Sequence, residues 1–268
     1  MSFKPILLVA GEPNSVFLEI FFKILKKNKF KSPLILIASK KVLGLQMKKL
    51  NFNKRIKVLN PHTITSYSLN NNMINLIDIN YDVSKAFETI SSKSKTYIEN
   101  CFKTAIEIIN SGYTYKLING PISKKHFLNK RFPGVTEYLA DKFKKKNFAM
   151  LIYNNKLSVS TITTHLPIKN VSRNISKKLI INKVNLINNF FKKFIGIKKP
   201  RIGVAGLNPH CESTNILNED LKILKPAIKY LSIKGIKISG PYAADTIFLK
   251  NNRKNFDIIL GMYHDQVL

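Results

Sequence analysis

Cysteine is scarce in this sequence. Cys101 and Cys211 are the only two in 268 residues, and no CxxC spacing occurs. Two cysteines cannot build a disulfide framework, so the chain reads as a cytosolic protein. Long apolar runs are missing from the N-terminus as well. The opening stretch MSFKPILLVAGEP holds an apolar run of only five residues, ILLVA, before turn formers interrupt it. That is too short for a signal sequence or a membrane span, and neither targeting nor anchoring is expected. No internal repeat and no linker rich in Ser, Gly or Pro appears, so any division into lobes runs through packed structure. No GxGxxG follows a strand-like run, which removes the Rossmann fingerprint and leaves the cofactor-contacting residues unknown.

Acidic residues are also few. Fifteen Asp and Glu stand against 45 Lys and Arg, a formal charge of +30. Such a balance ordinarily points to a polyanion partner. A nucleic-acid footprint, however, clusters on one face or along one helix, whereas here Lys is spread through KKNKFKSP, FKKKNF and FFKKFIGIKKP alike. The interleaved stretch NNFFKKFIGIKK also suits an amphipathic helix with Phe inward and Lys in water. A nucleic-acid partner is therefore not the expectation.

What the sequence does hold is alternation. Short β-branched runs are read as strands: PILLVA, PLILIAS, RIKVL, YKLING, AMLIYNN, LSVSTITT, RIGVAG, IKISGP and FDIILGMY. Between them lie helical patterns, notably SVFLEIFFKILKK, SKAFETISSKSKTYIENCFKTAIEIINSG, VTEYLADKFKK, NISKKLIINKVNLINNFFKKF and EDLKILKPAIKYLSIKG. Gly112 and Gly235 fall just past the last periodic residue of two of them, where helices end. The alternation predicts an α/β protein with mostly parallel sheets and helices on their faces. A hydrophobic content of 44% fits a chain that buries its core. The favoured boundary is the loop NKRFPGVTE, where Pro133 and Gly134 break the pattern. It gives an N-terminal α/β lobe over 1–130 and a second α/β lobe over 131–268.

Three of the five histidines sit where strand-like runs end: His165 after LSVSTITT, His210 in GLNPH and His264 after FDIILGMY. In open α/β sheets ligands collect beyond the carboxyl ends of strands. A lone histidine there is more often a hydrogen-bonded structural residue. Three together point to a divalent ion, because neutral imidazoles suit Zn²⁺ and three protein ligands leave a position open for catalysis. Asp265 adjoins His264, and Asp245 closes another strand-to-helix turn in GPYAADTIF, so either carboxylate is placed to orient a ligand. Cys211 is read as a small buried residue before it is read as a ligand.

The segments NGPISK (119–124), FPGVTEYLA (132–140), TTHLPI (163–168), GLNPH (206–210), GPYAADTIF (240–248) and MYHDQ (262–266) resemble, in order and spacing, the 4-hydroxythreonine-4-phosphate dehydrogenase family of pyridoxal phosphate biosynthesis. The resemblance spans essentially the whole chain. It implies a two-lobed isocitrate/isopropylmalate-dehydrogenase-like fold and a homodimer whose active site is completed by the neighbouring subunit. It further implies a Zn, Mg or Co ion held by His165, His210 and His264, the last donated across the dimer interface. The implied reaction is NAD- or NADP-linked oxidation and decarboxylation of 4-phosphohydroxy-L-threonine to 3-amino-2-oxopropyl phosphate. Thr136 matches the family's substrate-binding Thr, and Lys124 falls in a turn where its charge would face an anionic substrate.

Three departures accompany the resemblance. Val135 occupies the position of a substrate-binding His and can neither donate nor accept a hydrogen bond. The N-terminal turn reads GEPNSVFLE and lacks glycines its relatives carry. The sequence stops at Leu268, before a segment that bears further substrate contacts, and is expected to be a shortened form with impaired catalysis. The alternatives are a related metal-dependent dehydrogenase for another hydroxy acid, and an inactive basic relative that binds nucleic acid.

Overall fold

A computed structural model describes residues 3–128, 131–212 and 218–268. The chain divides into two compact units, Met1–Phe132 and Pro133–Leu268.

The first unit runs β1 (Ile6–Val9), α1 (Phe17–Lys27), β2 (Leu34–Ala38), α2 (Lys40–Lys49), β3 (Ile56–Val58), β4 (Ile74–Asp78), α3 (Lys95–Asn110) and β5 (Leu117–Asn119). The strands form a fully parallel sheet in the order β3-β4-β2-β1-β5. Every residue of β2, LILIA, is buried, as a strand covered on both faces requires. The buried face of α3 carries Tyr97, Ile98, Cys101, Phe102, Ala105 and Ile108, a helical spacing that lays one stripe on the sheet. Gly112 ends that helix at φ +80°, the left-handed conformation that glycine adopts without strain. At the carboxyl end of the sheet the turns after β1 and β5 touch. Glu12 N–H donates to Pro121 O at 2.8 Å, and a Cβ on Gly120 would stand 2.2 Å from Ala10 O.

The second unit runs α4 (Val135–Lys142), β6 (Leu151–Ile152), β7 (Ser158–Thr161), α5 (Val171–Asn174), α6 (Lys177–Phe190), β8 (Ile202–Ala205), α7 (Lys225–Ile233), β9 (Ile238–Tyr242), α8 (Ala244–Ile247), α9 (Lys250–Arg253) and β10 (Ile258–Gly261). Its sheet has the order β6-β7-β10-β8-β9, with β6 antiparallel at one edge and the other strands parallel. Ile180, Val184, Ile187 and Phe191 follow the helical period and pack with Ala227, Ile228 and Leu231 against Ile202, Val204, Ile258 and Leu260. Full burial of each large apolar side chain contributes about 1.5–3 kcal/mol before entropy is counted. A smaller cluster of Ala205, Ile247, Phe256 and Ile259 forms a second apolar centre in this unit.

The α/β architecture expected from the alternation is therefore present, with differences in detail. The stretch 84–94, expected to begin a long helix, is a loop with one short turn at Ser92–Ser94, and α3 starts at Lys95. AMLIYNN forms only the two-residue β6. Strand β4 and helix α2 were not expected. Asn75 interrupts the apolar run of β4, yet it is buried and its amide donates to Leu34 O and Asn70 O. Helix α2 carries Gly44 among lysines and is started by Ser39, whose hydroxyl accepts Val42 N–H. No helix among the described residues is long and apolar enough to cross a membrane.

Candidate active site

The strand order explains where the histidines fall. β10 lies between β7 and β8, all three are parallel, and His264, His165 and His210 follow them in that arrangement. All three therefore leave the same edge of the sheet. Pairing continues past the strands themselves: Ile162 N–H donates to Gly261 O, and Thr163 gives both N–H and hydroxyl to Met262 O. That zipper carries the chain on to His165 beside His264, whose ring centroids stand 5.7 Å apart at an interplanar angle of 35°.

Each ring has a carboxylate at the same nitrogen. Glu137, in the first turn of α4, faces His165 Nδ1 at 3.2 Å and also accepts the Thr164 hydroxyl at 2.5 Å. Asp265 faces His264 Nδ1 at 2.7 Å. An ionised carboxylate only accepts, so the proton of each neutral ring belongs on Nδ1 and the Nε2 lone pair is left for a ligand. Burial works against the Glu137 carboxylate, but the Thr164 hydroxyl and the His165 ring outweigh it and hold its pKa below the usual range. Close packing fixes this geometry. A Cβ on Gly134 would stand 2.6 Å from His165 Cε1 and 2.9 Å from Glu137 Oε2.

The backbone is also unusual here. His165 has φ +37°, His210 φ +55° and Cys211 φ +61°, values that side chains with a Cβ rarely adopt. Such conformations persist when surrounding contacts impose them, and they concentrate at functional sites. Around His210 the contacts are explicit. The fully buried Asp220 accepts Leu207 N–H, Asn208 N–H and the Asn208 amide at 2.8–2.9 Å, and Glu219 accepts the same amide at 3.1 Å. The His210 side chain itself is exposed.

Among the described residues no group of three or more His, Cys, Asp or Glu side chains is gathered closely enough to hold a metal ion. Two candidate ligands meet within one chain, and the third leaves the adjacent strand. The resemblance places His264 in the partner's site; within one chain it stands next to His165. Thr136 is half-buried in the first turn of α4, one residue before Glu137. Asp265 lies on His264, whereas Asp245 is exposed at the start of α8, its charge helping burial and Asp220 to raise the Cys211 pKa. Lys124 is exposed on the first unit. Cys211 is buried, as expected.

Sequence reasoning missed Glu137, Lys183 and Gln266. Lys183, only 6% exposed, donates to Phe148 O and lies 4.6 Å from the centre of the Phe148 ring. Burial pushes its pKa down while the charge of Glu137 pulls it back. Nothing local marks these residues, because Glu137 and Lys183 meet partners distant in sequence and the Gln266 amide nitrogen reaches Gly206 O, 60 positions away.

The family profile described as "Pyridoxal phosphate biosynthetic protein PdxA" matches residues 29–268. The chain belongs to the PdxA family. Among its PdxA relatives, a 4-hydroxythreonine-4-phosphate dehydrogenase of Sulfurihydrogenibium sp. (strain YO3AOP1) is 38% identical, over 97% of this chain and 80% of the relative. A D-threonate 4-phosphate dehydrogenase of Salmonella typhimurium is 28% identical, over 99% of this chain and 83% of the relative. The crystal structure of a 4-hydroxythreonine-4-phosphate dehydrogenase from Burkholderia phymatum superposes with a TM-score of 0.79 at 26% identity, covering 98% of this chain and 82% of that one. The relatives are oxidoreductases, and the fold expected from the resemblance is the one these PdxA structures share.

Proposed function

We propose that this chain is a divalent-metal-dependent, NAD-linked 4-hydroxythreonine-4-phosphate dehydrogenase of pyridoxal phosphate biosynthesis. It would oxidise 4-phosphohydroxy-L-threonine, with decarboxylation, to 3-amino-2-oxopropyl phosphate. The observation that carries the reading is the His165–His264 pair, each ring held by a carboxylate at Nδ1 at the carboxyl edge of a parallel sheet. Two imidazoles oriented in this way suit Zn or Co better than Mg, which prefers oxygen ligands, and His210 on the adjacent loop is the third ligand. When bound, the ion supplies Lewis acidity for loss of a hydroxyl proton, and NAD or NADP supplies the hydride acceptor.

The chain's own residues bind and orient. Glu137 and Asp265 keep the Nδ1 protons in place. Gly134 gives the Glu137 carboxylate its close approach to His165, and Thr136 offers a hydroxyl to the substrate from the same turn. In this reading residues 131–268 form the metal- and substrate-binding lobe and residues 1–130 the N-terminal α/β lobe of a cytoplasmic homodimer.

A second reading keeps the site and changes the substrate. Val135 removes one polar contact, and one relative named above is a D-threonate 4-phosphate dehydrogenase. Measuring kcat/KM for 4-phosphohydroxy-L-threonine and for D-threonate 4-phosphate decides between them. The first reading requires the amino substrate to win by at least about tenfold, roughly 1.4 kcal/mol of transition-state binding. A reversed ratio establishes the second.

A further inference from the structure

The loops that carry His264 and His210 belong to neighbouring strands, and one side chain spans them. Gln266 accepts Met262 N–H on Oε1 at 2.7 Å, closing its own loop. Its Nε2 donates to Gly206 O at 2.6 Å, across to the loop that leads from β8 to His210. Gly261 makes room for this bridge, and Gly206 makes room for Cys211 within the His210 loop. A Cβ on Gly261 would come within 3.1 Å of Gln266 Oε1, and a Cβ on Gly206 would meet Cys211 Sγ at 2.6 Å.

The far side of the His210 loop is tied down separately by Asp220, through Leu207 and Asn208. The loop is thus pinned on one side to the segment that precedes α7 and on the other, by Gln266, to the histidine pair. His210 is held at φ +55°, a conformation the loop keeps only while such pins hold. We infer that Gln266 is a positioning residue, setting the His210 loop in register with the His264 loop beside the His165–His264 pair that would hold the ion. This rests on the metal-site reading above.

Two variants separate its roles. Gln266→Ala removes both bonds. Gln266→Glu keeps an oxygen for Met262 N–H but sets a carboxylate oxygen against Gly206 O, breaking only the bridge between loops. Co²⁺ is titrated into the parent protein, both variants and His165→Ala, following affinity and the visible bands, which report coordination geometry. Thermal unfolding of the metal-free proteins is recorded alongside. The parent is expected to bind Co²⁺, His165→Ala to lose it, and Gln266→Glu to bind about tenfold to a hundredfold more weakly with altered bands, at a melting temperature close to the parent's. If Gln266→Ala fails to fold, Gln266→Glu alone decides. Binding and bands like the parent's in Gln266→Glu overturn the inference while leaving the metal reading intact. A parent that binds no Co²⁺ overturns both.

Discussion

Glu137 and His165 are separated by 28 positions in sequence, yet the carboxylate stands 3.2 Å from the ring Nδ1. The same carboxylate takes the Thr164 hydroxyl, so α4 and the loop after β7 are locked together at the residue proposed as a ligand. Glu137→Gln keeps the size of the side chain but removes the charge that makes the ring a better donor. Co²⁺ affinity is expected to fall about tenfold, with the fold retained by circular dichroism. Unchanged affinity would show that Glu137 is only a structural partner.

Gly134 tests the same geometry from the backbone. Its φ is −161°, ordinary extended backbone, so Gly134→Ala strains nothing torsionally. The added methyl instead meets His165 Cε1 at 2.6 Å and Glu137 Oε2 at 2.9 Å. Overpacking of this kind costs about 1–3 kcal/mol, and here it must displace the His165–Glu137 pair. Metal affinity should drop more than tenfold while the melting temperature falls by a few degrees. Loss of stability with full metal affinity would contradict the placement.

The pairing of His165 with His264 inside one chain makes a prediction about the dimer. Mixed dimers of His165→Ala and His264→Ala contain one intact pair if the histidines meet across subunits, and none if they meet within one chain. Two imidazoles of one chain on one ion, the reading proposed above, predict no recovery of Co²⁺ binding on mixing the two variants, whereas donation of His264 across the interface, as the resemblance implies, predicts recovery. Recovery in the mixed species would establish donation from the partner.

How much of this was legible in the sequence depends on the range of the signal. β2 and β10 announce themselves as continuous apolar runs, because strands covered on both faces need nothing else. β4 escaped because Asn75 breaks its run, and only the fold reveals that the Asn75 amide has carbonyls to meet. The stretch 84–94 has helical composition but stays a loop, held in part where Ser84 N–H donates to Glu88 and Glu88 N–H donates to Asn14. The histidines were legible by their position at strand ends. Their alignment on adjacent strands was not, since sheet order is a tertiary property, and for the same reason Glu137 and Gln266 could not be read as partners.

Away from the site, Asp257 offers a pH test of stability. Burial raises its pKa, but Arg201 more than offsets this through a side-chain pair at 2.9 Å and a backbone N–H at 2.7 Å, so the net shift is downward. A depressed carboxyl stabilises the fold fully above its unfolded pKa, and that contribution is lost as pH falls through the folded value. Because Arg201 is 39% exposed, solvent screening limits the pair to about 0.5–1 kcal/mol. Asp257→Asn should therefore lower stability in urea at neutral pH, with the difference from the parent vanishing at acid pH below the ordinary carboxylate range. An equal difference at both ends of the titration would show that charge is not what the residue contributes.

The account stands most directly on metal-dependent hydride transfer, so the decisive measurement is the rise of NADH absorbance with 4-phosphohydroxy-L-threonine and NAD. It is made with the parent protein stripped by chelator, with the same protein resupplied with Co²⁺ or Mg²⁺, and with His264→Ala. The account predicts no NADH from the stripped protein, recovery on adding the ion, and no recovery in His264→Ala. NADH formation that survives both the chelator and the loss of His264 would contradict it.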